Sequence, residues 1–337
     1  MNRSWCNKAS TAAIIMVLLI PGLLLSCCSP SSTLDKSINK LEGVYATSFE
    51  DIDFSMEITG RLSEDATTAS AAQDDRGTGE INEKVSDNSV LYKPGMYSNK
   101  LLRWGISRRK NRETPAADPG APELLKKHSG VYIGDTSKSI IYFTFDEGYE
   151  NGYTPLILDT LRDNGVKAVF FITGPYLKNH QDLVRRMVEE GHMIGNHTVH
   201  HPSLPELDDG RLEEEVLGLE RAFCEKFGQN MHFLRPPKGE YSERTLALTH
   251  KLGYCNLFWS FAYDDWYRDK TRGPQYAYEI VMRNLHNGAV LLLHAVSRDN
   301  AEALDSIIKG VLREGYSIGD PCELLPPDNV GVGIYEE

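Results

Sequence analysis

Two adjacent carboxylates, Asp146 and Glu147, close an apolar run in Thr144-Phe145-Asp146-Glu147-Gly148-Tyr149. Where a strand ends, neighbouring side chains point apart, so one acid can face a metal while the other faces a substrate, a division of labour suited to hydrolysis. The same pair could also serve only as a polar turn that caps the next helix. Further along, Asn196-His197-Thr198-Val199-His200-His201-Pro202 sets His197 and His201 at i and i+4. One helical turn or a tight loop lets two such imidazoles converge on one ion, with His200 left outside.

Three more polar clusters follow: Leu234-Arg235-Pro236-Pro237-Lys238-Gly239, Trp259-Ser260-Phe261-Ala262-Tyr263-Asp264-Asp265-Trp266, and Leu291-Leu292-Leu293-His294. An arginine can hold a carboxylate ionised, an acid can raise the proton affinity of a histidine, and a histidine ending an apolar strand can deliver a proton. Each cluster is weak alone, because prolines make loops and Arg–Asp pairs are common in scaffolds.

What must position them is a run of short β-rich segments alternating with helical ones from Ser139 onward, the pattern of a parallel sheet or barrel. The predicted strands are Ile140–Phe145, Ala168–Ile172, Met193–Asn196, His232–Arg235, Asn256–Ser260, Ala289–His294 and Tyr316–Ile318. Thr154-Pro155 opens a helix that stops at Asn164-Gly165, Asp182–Glu190 stops at Gly191, and Ser242 opens one that stops at Gly253. Arg211–Phe227, Gln275–His286 and Asn300–Glu314 complete the set. Parallel strands joined by helices carry functional side chains at their C-terminal ends, and every cluster above lies at such an end.

The order of these clusters, from the two-acid turn through H-T-x-x-H-P and R-P-P-x-G to D-W and L-L-L-H, resembles the polysaccharide deacetylase (NodB homology) family, carbohydrate esterase family 4. The resemblance covers about Lys138 to Leu325. Within the family the chain is most similar to the delta-lactam-biosynthetic muramic-acid de-N-acetylases of sporulating bacteria, through TFDEGYENGYT, Asp265-Trp266 and HAVSRDNAEAL. It implies a distorted (β/α) barrel of about seven parallel strands and one divalent metal, zinc by default with manganese or cobalt as alternatives.

By the same resemblance Glu147, His197 and His201 are the metal ligands, Asp146 is the general base and His294 the general acid. Arg235 orients Asp146, and Asp265 supports His294 with Trp266 packed beside it. The backbone N–H of Lys238 helps hold the oxyanion, with Tyr149 and Trp266 toward the substrate. Two positions depart from the family pattern: glutamate stands where the metal-binding aspartate is usual, and Ala262 replaces the earlier acid of D-x-x-D-W. The implied reaction is N-deacetylation of peptidoglycan, at N-acetylmuramic acid ahead of lactam closure. The alternatives are N-acetylglucosamine in peptidoglycan or chitin-like glycan, and an inactive glycan-binding lipoprotein.

The remainder of the chain bears on location. Residues 1–28 combine a weakly basic start, an apolar run and Leu24-Leu25-Ser26-Cys27, which resembles a bacterial lipoprotein signal of residues 1–26 with Cys27 as the lipidated residue. Acidic, Ser/Thr/Ala/Gly-rich residues 27–100 read as a largely disordered tether, 101–137 as a strap, 138–326 as the deacetylase domain and 327–337 as a tail. These assignments place the protein outside the cytoplasm, membrane-anchored or secreted, as a monomer acting on peptidoglycan strands. Across 337 residues, 41% hydrophobic and 25% charged content is that of a globular protein. The formal net charge of −12 argues against nucleic acid as a partner.

Overall fold

The computed structural model describes residues 92–267 and 271–326. The signal segment, Cys27, most of the tether and the tail from 327 lie outside the described residues. Among those described, no helix is long and apolar enough to cross a membrane.

Three two-residue strands come first: β1 (Leu102–Arg103), β2 (Ile106–Ser107) and β3 (Ala116–Ala117), followed by α1 (Ala121–Lys127). The repeating part then runs β4 (Ile140–Glu147), α2 (Thr154–Asp163), β5 (Ala168–Ile172), α3 (Gly174–Asn179), α4 (Gln181–Glu189), β6 (Met193–Asn196) and α5 (Asp209–Phe227). It continues with β7 (Phe233–Leu234), β8 (Glu240–Tyr241), α6 (Glu243–Lys251), β9 (Cys255–Asn256), α7 (Pro274–Arg283), β10 (Ala289–His294), α8 (Arg298–Arg313) and β11 (Ser317–Ile318).

A seven-stranded sheet has the order β10-β4-β5-β6-β7-β9, with β11 also paired to β4, and every pairing in it is parallel. Its two ends meet through a bridge between Phe261 and Leu291, beyond the end of β9, and a few backbone hydrogen bonds around it. The result is the expected distorted barrel, curled but barely closed. Three predicted strands match residue for residue, and β4 runs two residues further than expected, carrying both acids inside the strand.

β4 and β5 are buried along nearly their whole length, as continuous apolar runs covered on both faces must be. Phe145, Phe170, Leu291 and Leu293 join helix residues such as Leu158, Phe223, Leu304 and Ile308 in one core. The helix ends are built locally. Asp208 caps α5 through the Arg211 N–H, Ser242 and Thr245 cap α6 reciprocally, and Gly228 ends α5 in the left-handed region that glycine tolerates.

The strap packs onto the domain through its apolar residues, while its basic side chains from Arg103 to Arg112 stay exposed. β1 pairs antiparallel with β8, and Trp104 is buried against Phe258 and donates its indole N–H to the Trp259 carbonyl at 2.9 Å. Contacts of this kind begin at Tyr92, whose hydroxyl donates to Asp209 at 2.8 Å.

Candidate active site

Asp146 sits two residues from the exposed Gly148, at the C-terminal end of β4, directly beside His294 on β10. Its Oδ1 accepts from Arg235 Nη1 at 2.7 Å, and its Oδ2 lies 3.5 Å from His197 Nε2. Burial favours the neutral acid, but the Arg235 guanidinium, with His197 and His294, holds the carboxyl below the usual range. Asp146 is therefore an anion at neutral pH.

Arg235 is entirely buried, and each of its nitrogens donates: besides Nη1 to Asp146, Nε donates to the Leu257 carbonyl at 3.0 Å and Nη2 to Thr144 Oγ1 at 2.9 Å. Thr144 in turn donates to the Leu291 carbonyl at 2.7 Å, tying the arginine to both β4 and β10. The guanidinium stacks 4.0 Å from the Phe171 ring centroid. Phe171 fits there because Gly195 lacks a side chain, since a Cβ at that position would stand 2.4 Å from the ring.

The histidines occupy a tight turn after β6. His197 donates from Nδ1 to the Arg235 carbonyl at 2.8 Å, which leaves the Nε2 lone pair available. That nitrogen faces His201 Nε2 at 3.1 Å. Burial lowers both: His197 falls below its ordinary value, and His201, with His197 as the next cause, is pushed down to about 3. The turn needs left-handed backbone at two non-glycine positions, Thr198 (φ 67°) and His201 (φ 59°), each costing on the order of 1–3 kcal/mol. Side chains hold it in place: Asn196 Oδ1 accepts from the Thr198 N–H and Thr198 Oγ1 from the His201 N–H, both at 2.9 Å. His200 turns outward to Glu215 at 2.7 Å.

His294 ends β10. Asp265 takes its ring Nδ1 at 2.7 Å and its backbone N–H at 2.9 Å, and Asn300 Nδ2 at 2.5 Å. Burial lowers the ring's proton affinity, yet the Asp265 carboxylate outweighs it and the net shift is upward. Trp266 lies edge-on to the His294 ring at 5.7 Å and is 45% exposed, forming a rim. Tyr149 donates to the Trp266 carbonyl at 3.3 Å. Lys238 is exposed on the turn Pro237–Gly239, with φ 59°.

Asp146, His197, His201, Arg235, Asp265 and His294 are thus brought together, and Glu147 is not. Alternation along β4 sends its side chain to the opposite face from Asp146. There Glu147 Oε2 accepts from Thr154 at 3.4 Å, beside Tyr176 and Glu150, and Oε1 is buried without a hydrogen-bond partner. Burial and then the neighbouring Glu150 charge push this carboxyl well above its ordinary value. The expected trio of ligands is therefore not assembled, and among the described residues no three His, Cys, Asp or Glu side chains form a metal cage. The two neutral imidazole nitrogens do fit part of a divalent ion's coordination sphere, with Asp146 Oδ2 alongside.

Asn196, Thr198, Thr144 and Asn300 escaped sequence reasoning. They hold the turn, the arginine and the acid that support the site; Asn196 and Thr198 stand at the end of β6, whereas Thr144 within β4 and Asn300 in α8 carry no local signal of this role.

A family model described as polysaccharide deacetylase matches residues 133–257. An uncharacterized 30.6 kDa protein of Geobacillus stearothermophilus is 46% identical over 229 residues, covering 68% of this chain and 86% of that protein. The peptidoglycan-N-acetylmuramic acid deacetylase PdaA of Bacillus subtilis is 42% identical over 228 residues, covering 67% of this chain and 87% of that protein. The solved structure of Bacillus subtilis PdaA, a family 4 carbohydrate esterase, superposes with a TM-score of 0.66 at 40% identity, over 67% of this chain and 97% of that one.

Proposed function

Because this chain belongs to the polysaccharide deacetylase family and is a hydrolase of N-acetyl amide bonds, we propose that it deacetylates peptidoglycan at N-acetylmuramic acid, outside the cytoplasm. The observation that carries the reading is the pairing, on adjacent strands, of an acid whose carboxyl Arg235 holds below its ordinary range with a histidine whose proton affinity Asp265 raises. Such opposed settings are what an acid/base pair at one bond requires. The likeness to a muramic acid deacetylase supports the choice of sugar.

In this reading Asp146 takes a proton from the attacking water at Oδ2, since Arg235 occupies Oδ1. Arg235 keeps the carboxylate charged and fixed in direction. His294, protonated and oriented through Nδ1 by Asp265, presents Nε2 to the leaving nitrogen and protonates it as the carbon–nitrogen bond breaks. The Lys238 N–H serves the developing oxyanion, and Trp266 shields one side of His294. A divalent ion held by His197 and His201 would supply Lewis acidity at the water and the carbonyl. Lipidation at Cys27 would keep the enzyme at the membrane beneath its substrate.

The test is acetate release by the full chain from peptidoglycan, with and without added zinc, manganese or cobalt, and mass spectrometry of the product sugars. Intact and peptide-stripped glycan are compared. Acetate from muramic acid is the expected result. Release only from N-acetylglucosamine would overturn the substrate, and no release from any glycan by a protein with bound metal would overturn the reaction.

A further inference from the structure

A deacetylase of N-acetylmuramic acid meets a chemical feature that N-acetylglucosamine lacks. The lactyl ether hangs from C3, next to the carbon that bears the acetamido group, so its carboxylate lies a few bonds from the reacting amide. An enzyme that reads this sugar needs a cation at the edge of the reaction centre. Arg235 cannot serve, since it is entirely buried and committed to Asp146. The other arginines bound to the site-bearing segments are engaged as well: Arg103 with Glu240 at 3.0 Å, Arg272 with Asp264 at 2.6 Å, and Arg108 on the Ala262 carbonyl at 2.5 Å.

Lys238 differs from all of these. It is exposed, it lies three residues after Arg235, and among the described residues its ammonium takes part in no hydrogen bond or ion pair, the Glu240 carboxylate whose charge it feels being already held by Arg103. Its backbone is left-handed (φ 59°, ψ 7°), a conformation that a side chain makes costly and that loops retain where geometry matters. The turn is held firmly: the Gly239 N–H donates to the Pro236 carbonyl at 3.1 Å and the Trp104 N–H to the Gly239 carbonyl at 2.8 Å, while Gly239 closes on Trp259. The Trp259 ring centroid in turn lies 5.8 Å from the Arg235 guanidinium, so this turn borders the site.

We propose that the Lys238 side chain binds the lactyl carboxylate of the substrate and thereby selects muramic acid over neutral N-acetylated sugars. The inference rests on the muramic acid reading above and assigns the residue that enforces it. An unpaired lysine in water gains little by itself, but a carboxylate delivered and oriented by a bound sugar forms a charge-assisted hydrogen bond with it. A carboxylate still in amide linkage to a peptide lacks the charge and forfeits that bond.

The experiment compares the full chain with its Lys238→Met and Lys238→Arg variants. The probes are peptide-stripped glycan with free lactyl carboxylates, the same glycan with those carboxylates chemically amidated, and N-acetylglucosamine oligomers. Lys238→Met is expected to lower the kcat/KM ratio of free to amidated glycan about tenfold or more, with Lys238→Arg keeping most of the ratio. An unchanged ratio in Lys238→Met, or equal losses on both glycans, overturns the proposal while leaving muramic acid as the substrate. A wild-type enzyme that acts only on N-acetylglucosamine oligomers overturns the substrate reading, and this inference with it.

Discussion

Asp265→Asn isolates what the carboxylate beneath His294 contributes. One oxygen of Asp265 meets the His294 ring N–H at 2.7 Å, and the other takes two donors, the His294 backbone N–H at 2.9 Å and Asn300 Nδ2 at 2.5 Å. An amide of the same shape must turn its NH2 toward one of these sites. If it keeps its oxygen for the two donors, the NH2 faces the ring nitrogen, and the protonated imidazole then meets a donor instead of an anion. The acid form loses its main support, so kcat/KM is expected to fall by about 10²–10³-fold, the scale of positioned acid catalysis. The alkaline limb of the pH–rate profile should also move to lower pH. Stability responds with a definite sign. The folded protein holds the His294 proton more tightly than the unfolded chain, so this contribution is full below the unfolded value of about 6.5 and is lost as pH rises through the raised folded value. Replacing the carboxylate should therefore cost about 1.5–3 kcal/mol at pH near 5.5 and much less near 9. Acetate release across pH and urea denaturation at the two pH values measure both effects. A variant that keeps more than half its activity with an unmoved alkaline limb would refute the assignment of His294 as the acid.

Arg235→Met leaves Asp146 buried without its partner. It should destabilise the fold by about 3–5 kcal/mol in urea denaturation and raise the acid limb of activity, since the folded-state depression of Asp146 is lost. A loss under about 1 kcal/mol would contradict the pairing. His197→Ala should reduce bound divalent metal, measured by atomic emission, about tenfold or more, whereas Glu147→Gln should leave it within about twofold because Glu147 faces the other side of β4. Equal losses would return Glu147 to the coordination sphere. Glu220 is fully buried, accepts from Tyr254 at 2.7 Å and from the Met231 N–H, and is raised by burial. Its contribution is present at low pH and lost as pH rises through the raised folded value, so Glu220→Gln should flatten the decline in stability that sets in as pH rises above the ordinary glutamate value, read in thermal melts.

Much of the architecture was legible in the chain because strand and helix signals are local. Apolar runs of the right length, Pro at helix starts and Ser, Asp or Gly at helix ends placed β5, β6 and β10 without error and most helices to within a few residues. The weaker strands were less clear: β7 and β9 are each only two residues long, held by one or two ladder positions that no periodicity announces. The strap divides in the same way: its basic cluster is exposed, as its sequence suggests, while Trp104 between Phe258 and Tyr241 decides how the segment sits.

The catalytic candidates divide along the same line. Sequence alone determined which residue types stand at the ends of parallel strands, because that position follows from the alternation of elements and carries its chemistry wherever the sheet curls. Tertiary structure decided which of them meet. Asp146 and Glu147 are equivalent as letters, and only the pleat of β4, with α2 and α3 covering one of its faces, sends Asp146 to Arg235 and His197 and Glu147 to Thr154 and Tyr176. The convergence of His197 and His201 likewise depends on a left-handed turn held by Asn196 and Thr198. The support of His294 depends on Asn300, six residues further along the chain. Which face a side chain takes and which distant group satisfies it are set by packing between elements, and that information does not reside in any one segment.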